Sequence, residues 1–549
     1  MITRAIEYAK KVFWLLPGFL LWASFPPMGE KTDCIFALAP LLWLSRGGDA
    51  KKSALRWFVN GFIFWFATLS WMPAIVKNGG PWPLVVLGWG ALAAYCALYF
   101  GVFGWLSAKV WAWVRDEGSP WRKPPRFPYA RRLFAILVAE PVLWCGLELV
   151  RSRFLGGFAW NHLGVPLVNA GFASPAALGG VYALSAVVVL VNGTMAGIAE
   201  RMMKRAGRFA VVETILPVAI VFGLFAVSPG RGGRGGDAAN APRILRAAMV
   251  QRNFPCVFKP SHRDPVEIYS NLFASVSHAG PELLVLPESA LSEFGAADSP
   301  RSLAFMRWAS DVSGAGAVIA GGGRFADGKE YNSAVLYCPS RQPSLGPRAT
   351  NHEPRTTSHE PRIYDKVHLV PFGEFIPGDK LITALQKLAP VGSCTPGELK
   401  LLGDYGVAIC YEDTDSAQMR ALAKKGAKAL VFITNDSWFS DSVEAEQHAW
   451  QSVARAVETG LAVVRAGNSG VTGTILPNGR TSWLSDEEGR PLVDAHGAMC
   501  EGVPLAASAP TFYVRFGDIP LSVAFALLII AAVLVKYKDN HEKRRYLSM

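Results

Sequence analysis

The stretch "GVAICYEDTDS", residues 406–416, joins an apolar run to a polar segment through a single cysteine, Cys410. Residues 407–409 are typical of a buried β-strand, and the acidic residues that follow begin a loop or turn. Buried cysteines are usually small apolar core residues. The end of a strand is also where α/β folds carry reactive groups. The stretch therefore predicts a strand of an α/β fold and leaves two interpretations of its thiol.

The sequence around this stretch alternates between two periods. Strand-like runs such as "ELLVLPE" and "ALVFITND" alternate with helical stretches such as "AEQHAWQSVARAVETG". This alternation predicts a layered α/β domain with buried strands, which we assign to residues 243–508. Residues 339–362 are rich in Pro, Ser, Thr and Arg and have no apolar period, so we expect a flexible surface insertion there.

The rest of the chain has the composition of a membrane protein. Of its 549 residues 51% are hydrophobic, with 31 Phe and 18 Trp. A helix needs about 20 apolar residues to cross a bilayer. The predicted spans are 12–28, 33–45, 54–76, 83–113, 133–150, 174–198, 209–228 and 517–536. We therefore expect a polytopic membrane domain at 1–228, a glycine-rich linker at 229–242, and a final span with a cytoplasmic tail at 509–549.

The basic residues orient the chain. The net charge is +12, and the Lys and Arg residues cluster beside alternate ends of the predicted spans, as in 115–132, 201–208 and 536–545. The positive-inside rule then predicts that both termini are cytoplasmic and that 229–516 lies on the outer side. Because the charge follows the spans, a bilayer is the expected partner and a nucleic acid is not. Zinc-type CxxC and HxxxH pairs are missing from the sequence, so neither a metal nor a cofactor is expected.

Three predicted strand ends carry groups that can act together. Glu288 closes "LLVLPE", Lys366 stands in "RIYDKVHLVPFGEF", and Cys410 ends "GVAIC". A carboxylate can take the thiol proton, the thiolate can attack a carbonyl, and an ammonium can stabilise the resulting oxyanion. Each residue also has a structural explanation, since Glu288 follows a proline near a possible helix start and most lysines are solvated. Together the three predict acyl-transfer chemistry.

At these residues the sequence resembles the nitrilase (carbon–nitrogen hydrolase) superfamily. The matching motifs are "LVLPESA", "YDKVHLVPFGEFIP" and "ICYED". Within that superfamily it is most similar to the membrane-bound family of apolipoprotein N-acyltransferases. The stretches "VQRNFP", "YNSAVLY", "TNDSWF" and "VRAGNSGVTG" carry this closer resemblance. It implies an αββα nitrilase-like sandwich attached to a membrane domain of about eight helices.

The resemblance also implies roles for single residues. Glu288 is then the general base, Lys366 the oxyanion stabiliser and Cys410 the nucleophile. Glu374, from "PFGE", matches a supporting acidic residue, and Tyr411 and Glu412 match the pair that follows the cysteine of the family. We also expect substrate contacts from three residues in or after the strand-like run "ALVFITND", namely Asn435, Trp438 and His448. A helix needs buried polar partners too, which is the structural alternative for His448.

The implied reaction has two steps. Cys410 takes an acyl chain from a phospholipid as a thioester, and the α-amine of a diacylglyceryl-modified N-terminal cysteine of an apolipoprotein accepts it. The resemblance further implies the bacterial inner membrane, with the catalytic domain on the periplasmic side, and we expect a monomer.

Two other functions stay open at this point. A membrane-anchored amidase would use the same three residues and transfer to water, although one anchoring helix would suffice for it. A scaffold or transporter with a degenerate outer domain would not need the three residues at all. Transporters tend to place charges within their spans, and Glu140 and Glu148 are the main such residues here.

Overall fold

The chain forms two compact units, each of which is described separately. The structure, a computed structural model, describes residues 13–115, 128–203, 210–226, 242–255, 264–339, 360–375, 394–506 and 510–547. The first unit lies within Met1–Val76, Gly80–Pro229 and Phe516–Met549, and the second within Lys77–Gly79 and Gly230–Arg515. The predicted boundaries at 228 and 508 lie outside the described residues, as do nearly all of the predicted linker and most of the insertion 339–362. The domain limits therefore stay a prediction.

The first unit is helical. Its helices before the second unit are α1 Leu16–Ala23, α2 Cys34–Ala37, α3 Ala39–Arg46, α4 Ala50–Thr68, α5 Trp82–Arg115, α6 Pro128–Phe134, α7 Glu140–Arg151, α8 Val165–Asn169, α9 Ala176–Met203 and α10 Ala210–Ala226. A π-helical turn, Ala135–Ala139, joins α6 to α7.

Five helical segments of the described residues are long and apolar enough to cross a membrane. They are Ala50–Asn78, Trp82–Arg115, Tyr129–Arg151, Ala176–Met203 and Ile519–Glu542. Five of the eight predicted spans coincide with them. The other three predicted spans coincide with the shorter apolar helices Phe13–Ala23, Cys34–Arg46 and Val211–Ala226. The prediction of a polytopic helical membrane domain is confirmed, whereas crossing by the three shorter helices stays a prediction.

Helices α4 and α5 approach closely because glycines stand at their contact. A Cβ atom at Gly61 would lie 2.6 Å from the Phe100 ring, and one at Gly104 would collide with the Trp57 ring. The Trp57 indole N–H donates to Ser45 Oγ at 2.9 Å. Close packing and hydrogen bonds of this kind hold membrane helices together, because lipid competes for apolar side chains.

The second unit contains two mixed sheets. Its elements are β1 Ile244–Gln251, α11 Pro265–Ser277, β2 Leu283–Val285, α12 Pro300–Ser313, β3 Ala317–Ala326, β4 Lys329–Tyr337, β5 Arg362–Asp365, β6 Tyr405–Ile409, α13 Ser416–Lys424, β7 Ala429–Thr434, α14 Glu444–Thr459, β8 Val463–Gly467, β9 Gly473–Ile475, β10 Thr481–Trp483 and β11 Gly497–Pro504. The strand order is β11-β1-β2-β3-β4-β5 in one sheet and β10-β9-β8-β7-β6 in the other. Two last helices follow, α15 Phe512–Phe516 and α16 Ile519–Leu547.

The two sheets share one core. Alternate residues of a strand face opposite sides, so Leu245 and Met249 of β1 pack with Val407 and Val431 of the other sheet. The intervening residue Ala248 packs instead in a second cluster formed with α11 and α12. Helix α13 packs on β6 of the second sheet. The order helix, sheet, sheet, helix confirms the predicted αββα sandwich.

The parallel strands bring their carboxyl ends to common edges of the sheets. Strands β1, β2 and β3 are parallel in the first sheet, and β6, β7 and β8 are parallel in the second. The segments that follow β2, β6 and β7 contain Glu288, Cys410 and Asn435, respectively. This is the usual position of functional groups in such sheets.

Candidate active site

Glu288, Lys366 and Cys410 stand immediately after three strands. Glu288 lies three residues beyond β2, Lys366 follows β5 directly, and Cys410 follows β6 directly. Only 7% of Glu288 and 1% of Lys366 are exposed, whereas Cys410 is half-buried. Buried charged groups are costly unless they are paired, so their partners decide what they can do.

The lysine and two glutamates form one cluster. Lys366 Nζ lies 2.9 Å from Glu374 Oε1 and 3.9 Å from Glu288 Oε1. Asn332 Nδ2, on β4, donates to Glu288 Oε1 and to Glu374 Oε1, both at 2.7 Å. The backbone N–H of Val370 donates to Glu374 Oε2 at 2.8 Å. Glu374 is therefore fully committed, while Glu288 keeps free acceptor capacity for a proton.

The surroundings set opposite protonation tendencies for the two carboxyls. Burial raises the pKa of Glu288 above that of an ordinary glutamate, although Lys366 opposes this rise. Burial alone would also raise the pKa of Glu374, but the Lys366 ammonium and the hydrogen bonds from Asn332 and Val370 hold it below its usual value. Two carboxyls with separated pKa values are typical of sites where one supports charge and the other carries protons.

The thiol and the ammonium also have shifted pKa values. Burial raises the pKa of the Cys410 thiol well above its ordinary value; the Glu288 carboxylate adds to this rise and the Lys366 ammonium opposes it. Burial alone would lower the pKa of Lys366, but Glu374, Cys410 and Glu288 hold it above its ordinary value. At neutral pH the site therefore contains a thiol, a charged ammonium and a nearby base. Because Glu288 and Lys366 both shift the pKa of Cys410, the three predicted groups belong to one site.

Glu412 fixes the turn that carries Cys410. Cys410 begins a short 3-10 turn, Cys410–Thr414, with φ at +53°. Such a backbone is strained for a residue with a side chain and must be held by its surroundings. Glu412 is fully buried, and its carboxylate accepts from the N–H groups of Val367 at 2.7 Å, His368 at 3.0 Å and Ile409 at 2.9 Å. One side chain thus ties the cysteine turn to the segment that follows Lys366.

Tyr411 and Trp438 are half-buried, and Asn435 is buried. The Tyr411 ring stands edge-on to His368, with ring centroids 5.6 Å apart. Asn435 Oδ1 accepts from Ser437 Oγ at 2.6 Å and from Asn468 Nδ2 at 2.8 Å. The partly exposed Tyr411 and Trp438 can contact a substrate, whereas the oxygen of Asn435 is occupied within the protein.

His448 is only 1% exposed, and both ring nitrogens face carboxylates. Nε2 lies 2.9 Å from Asp413 Oδ1 and Nδ1 lies 3.0 Å from Asp436 Oδ1. Asp413 Oδ2 also accepts from Arg465 Nη1 at 2.6 Å and from Ser452 Oγ at 2.6 Å. Burial alone would lower the pKa of His448, but the two aspartates raise it to about 10. An imidazolium that bridges two buried aspartates favours a structural role over contact with substrate.

Asn332, Asp413 and Arg465 were not singled out as site residues by the sequence. Asn332 lies inside a strand-like run, "YNSAVLY", and a lone amide there gives only a weak signal. Asp413, Asp436 and Arg465 pair only because β6, β7 and β8 are neighbours. A buried arginine in the apolar run "LAVVRAG" was the one available hint, since such a charge needs a partner.

Atoms of one cluster have the spacing of metal ligands. One side-chain atom each of Asp436, Glu444 and His448 lie within 4.8 Å of one another. Both nitrogens of a protonated imidazole are donors, however, and Asp436 Oδ1 also accepts from Thr434 Oγ1 at 2.7 Å. We therefore describe the cluster as a hydrogen-bond network.

Comparison with known proteins adds two family matches. A family model described as the apolipoprotein N-acyltransferase N-terminal domain matches residues 17–194. A second, described as carbon–nitrogen hydrolase, matches residues 246–509. The first match lies mainly in the first unit and the second match lies in the second unit.

Whole-length relatives are also found. An apolipoprotein N-acyltransferase of Geobacter metallireducens is 30% identical over 96% of this chain and 96% of its own length. One of Chromobacterium violaceum is 27% identical over 98% of this chain and 94% of its own. A crystal structure of an amidase from Nesterenkonia sp. overlaps 50% of this chain and 94% of its own, with 18% identity and a TM-score of 0.33.

Proposed function

Because the chain belongs to the apolipoprotein N-acyltransferase family, we propose that Glu288, Lys366 and Cys410 carry out its acyl transfer in two half-reactions. The protein is an acyl-transferring enzyme of the carbon–nitrogen hydrolase superfamily that N-acylates lipoproteins. Its donor is a lipid and its acceptor a lipoprotein. The observation that supports the proposed roles best is that Lys366 forms its close ion pair, 2.9 Å, with Glu374, while Glu288 lies 3.9 Å from the same ammonium.

The first half-reaction loads the enzyme. Glu288 takes the proton from the Cys410 thiol, and the thiolate attacks the ester carbonyl of a phospholipid. The Lys366 ammonium stabilises the oxyanion that forms on the carbonyl oxygen. The tetrahedral intermediate then expels the glycerol oxygen, which receives the proton back from Glu288 and leaves as part of a lysophospholipid. Cys410 is left as an acyl thioester.

The second half-reaction transfers the chain. The neutral α-amine of the acceptor's N-terminal cysteine attacks the thioester carbonyl, and Lys366 again stabilises the oxyanion. Glu288 takes one proton from the nitrogen, the carbon–sulfur bond breaks, and the amide leaves. The thiolate then regains the proton from Glu288. The raised pKa of Glu288 suits both proton transfers, because a base acts best when its pKa is near the working pH.

Lipid-anchored substrates account for the helical unit. We propose a phospholipid as donor, a diacylglyceryl-modified apolipoprotein as acceptor, and action as a monomer. Withdrawing an acyl chain from a bilayer costs about 0.8 kcal/mol per methylene group. An enzyme held in the membrane avoids that cost, because it meets both substrates where their chains are already solvated.

We further propose that the enzyme lies in the bacterial inner membrane with its catalytic domain on the periplasmic side. The Lys- and Arg-rich segments 115–132 and 536–545 support cytoplasmic ends for the neighbouring helices. Single cysteines introduced at exposed positions of α12 and of the C-terminal tail, such as Arg301→Cys and Lys538→Cys, test this orientation. In intact spheroplasts a membrane-impermeant maleimide should label the α12 peptide of the former and spare the tail peptide of the latter, whereas the reverse pattern would contradict the proposal. The label is located by peptide mass, because the native Cys338 is also exposed.

The decisive experiment follows the acyl group on Cys410. The full chain is purified in detergent, mixed with phospholipid of defined acyl chains, and digested, and the peptide that carries Cys410 is weighed. We expect a mass gain equal to that acyl chain, removal of the gain by hydroxylamine, and release of lysophospholipid. The gain should be absent in Cys410→Ala and unchanged in Cys500→Ala, a matched variant of a half-buried cysteine on β11.

The acceptor is tested in the same preparation. A synthetic diacylglyceryl peptide with a free α-amine should discharge the thioester and gain the chain as an amide. Release of free fatty acid in its place would identify water as the acceptor and support the amidase alternative. An unmodified Cys410 together with absent lysophospholipid would overturn the proposed reaction.

A further inference from the structure

Two turns at the catalytic edge of the second sheet meet at one buried histidine. Asp413 lies on the turn that begins at Cys410, and Asp436 lies on the turn that follows Asn435. His448 of α14 bridges them, with 2.9 Å from Nε2 to Asp413 Oδ1 and 3.0 Å from Nδ1 to Asp436 Oδ1. Each ring nitrogen therefore holds a different turn.

The charges of this network balance only if the imidazole is cationic. Arg465 of β8 is fully buried and reaches both aspartates, at 2.6 Å from Asp413 Oδ2 and 3.5 Å from Asp436 Oδ2. Glu444 also faces the ring, with Oε1 3.7 Å from His448 Nδ1. Burial, with the nearby Asp436 carboxylate, raises the pKa of Glu444 well above its ordinary value, which favours the neutral form of this carboxyl. Two aspartates are then matched by one guanidinium and one imidazolium.

We propose that His448 is a positioning residue, which holds the Cys410 turn against the Asn435 turn and, together with Arg465, neutralises Asp436. This inference rests on the proposed role of Cys410. It assigns His448 neither to substrate contact nor to proton transfer with the substrate.

The position of Asp436 explains why its neutralisation matters. Burial is the main cause of the raised pKa of both Cys410 and Glu288, and the Asp436 carboxylate adds to each rise. An unpaired carboxylate at this place would oppose the formation of the thiolate, since like charges disfavour each other in a buried site. His448 supplies the nearer of the two cations that limit this effect, at 3.0 Å from Asp436 against 3.5 Å for Arg465. It also holds the turn that begins at Cys410, whose φ is +53°.

The test measures the reactivity of Cys410 without any substrate. The full chain in detergent is treated with iodoacetamide over a series of pH values, and alkylation of the Cys410 peptide is followed by mass. His448→Gln removes the cation while keeping a polar side chain of similar length. We expect the midpoint of alkylation to move to higher pH by about one unit. An unchanged midpoint would overturn the proposal.

Two further variants separate positioning from general loss of stability. His448→Gln combined with Asp436→Asn removes the unpaired carboxylate, so the midpoint should return toward that of the wild type. A combined variant that behaves like His448→Gln alone would show that Asp436 does not transmit the effect and would overturn the proposal. Met306→Ala, which empties part of the core beneath α12, should lower stability and leave the midpoint unchanged.

The test survives poor folding of the histidine variant. Asp436→Asn alone should lower the midpoint, because one carboxylate that opposes the thiolate is gone, and an unchanged midpoint would again overturn the proposal. Alkylation requires no phospholipid. If wild-type Cys410 is alkylated but never forms a thioester, the proposed function is overturned. The comparison of alkylation midpoints between the wild type and the variants stays valid in that case.

Discussion

Lys366 Nζ lies 2.9 Å from Glu374 Oε1, a full ångström closer than its distance of 3.9 Å from Glu288 Oε1. The ammonium therefore forms its direct ion pair with the carboxylate that also accepts hydrogen bonds from Asn332 and Val370. Glu288 is close enough for the ammonium to lower its pKa, but it does not form the direct ion pair. Under the proposed roles, this separation lets Lys366 stabilise an oxyanion while Glu288 remains basic.

Glu374→Gln should remove the preference of Lys366 for Glu374 over Glu288. Lys366 loses its direct partner and turns to Glu288, whose pKa then falls, because one carboxylate that raises it is gone and the ammonium moves closer. We expect the plateau rate of thioester formation to fall about tenfold to a hundredfold. The acid limb of the pH profile should move to lower pH.

The measurement is the rate of acylation of Cys410 over a pH series. Glu267→Gln, an exposed glutamate on α11, serves as the matched control and should leave both plateau and limb unchanged. A Glu374→Gln profile that keeps the wild-type limb would show that Glu288 does not respond to this pair.

Asn332→Asp should move the same limb in the opposite direction. The wild-type amide donates to Glu288 and Glu374, both at 2.7 Å. A carboxylate in its place removes both donors and adds a negative charge, so the pKa of Glu288 rises. Activity would then be lost at higher pH on the acid side than in the wild type.

Asn478→Asp, at an exposed turn, makes the same chemical change away from the site and should have no effect on the acylation profile. If Asn332→Asp and Glu374→Gln shifted the limb in the same direction, the assignment of that limb to Glu288 would be wrong.

Much of this site could be predicted from local sequence, and the rest depends on contacts between distant segments. Strand ends place Glu288, Lys366 and Cys410, because an apolar run with a polar end is a local pattern. Asn332 was not predicted as a site residue, because its neighbours in the strand have the pattern of ordinary core residues. The network around His448 was not predicted, because its partners lie on or directly after three strands whose order no local pattern fixes.

The helical unit could also be predicted only in part from local sequence. Hydropathy located eight apolar segments, since each long helix is a contiguous run. It already gave 33–45 as a short segment, which matches Cys34–Arg46, but its predicted spans 12–28 and 209–228 are longer than the helices Phe13–Ala23 and Val211–Ala226. Helix limits inside an apolar run depend on packing, as at Gly61 and Gly104, and hydropathy does not register such contacts.

Gly321→Ala should damage the site through the backbone. A Cβ atom at Gly321 would lie 2.7 Å from Glu288 Cα and 3.2 Å from the Pro287 carbonyl oxygen. Backbone atoms cannot rotate away, so the segment that carries Glu288 has to shift. A displacement of about 1 Å can cost a hundredfold in rate, and we expect a loss of that order in acylation.

The control for this prediction stands two residues along the same strand. At Gly323 no described atom lies within 4 Å of the added Cβ, so Gly323→Ala should acylate normally. Equal activity of the two variants would show that the close approach of β3 to Glu288 is not required.

Glu412→Gln should lower both stability and activity. Its carboxylate accepts from three backbone N–H groups and from the Tyr364 hydroxyl at 3.0 Å. A glutamine amide turns N–H groups toward donors, which leaves buried polar groups unpaired at about 1–3 kcal/mol each. Thermal unfolding in detergent should begin at a lower temperature, and Cys410 should alkylate more slowly. Glu398→Gln, an exposed change in the same unit, should do neither.

The contribution of His448 to stability should depend on pH in a direction that its partners fix. The aspartates raise the pKa of His448 to about 10 in the fold, against about 6.5 in an unfolded chain. Its charge-dependent stabilisation is therefore complete below about pH 6.5 and is lost as the pH rises through about 10. Removing one partner of a buried ion pair costs about 3–5 kcal/mol, so His448→Gln should unfold at a clearly lower temperature than the wild type at pH 6. Between pH 6.5 and pH 10 the difference between the two unfolding temperatures should shrink, because the wild type loses the charge that the variant never had. Met306→Ala changes no titrating group. The difference between its unfolding temperature and that of the wild type should therefore stay constant over the same pH series. A constant difference for His448→Gln as well would mean that a neutral imidazole serves equally, and the charge balance with Asp413, Asp436 and Arg465 would then be wrong.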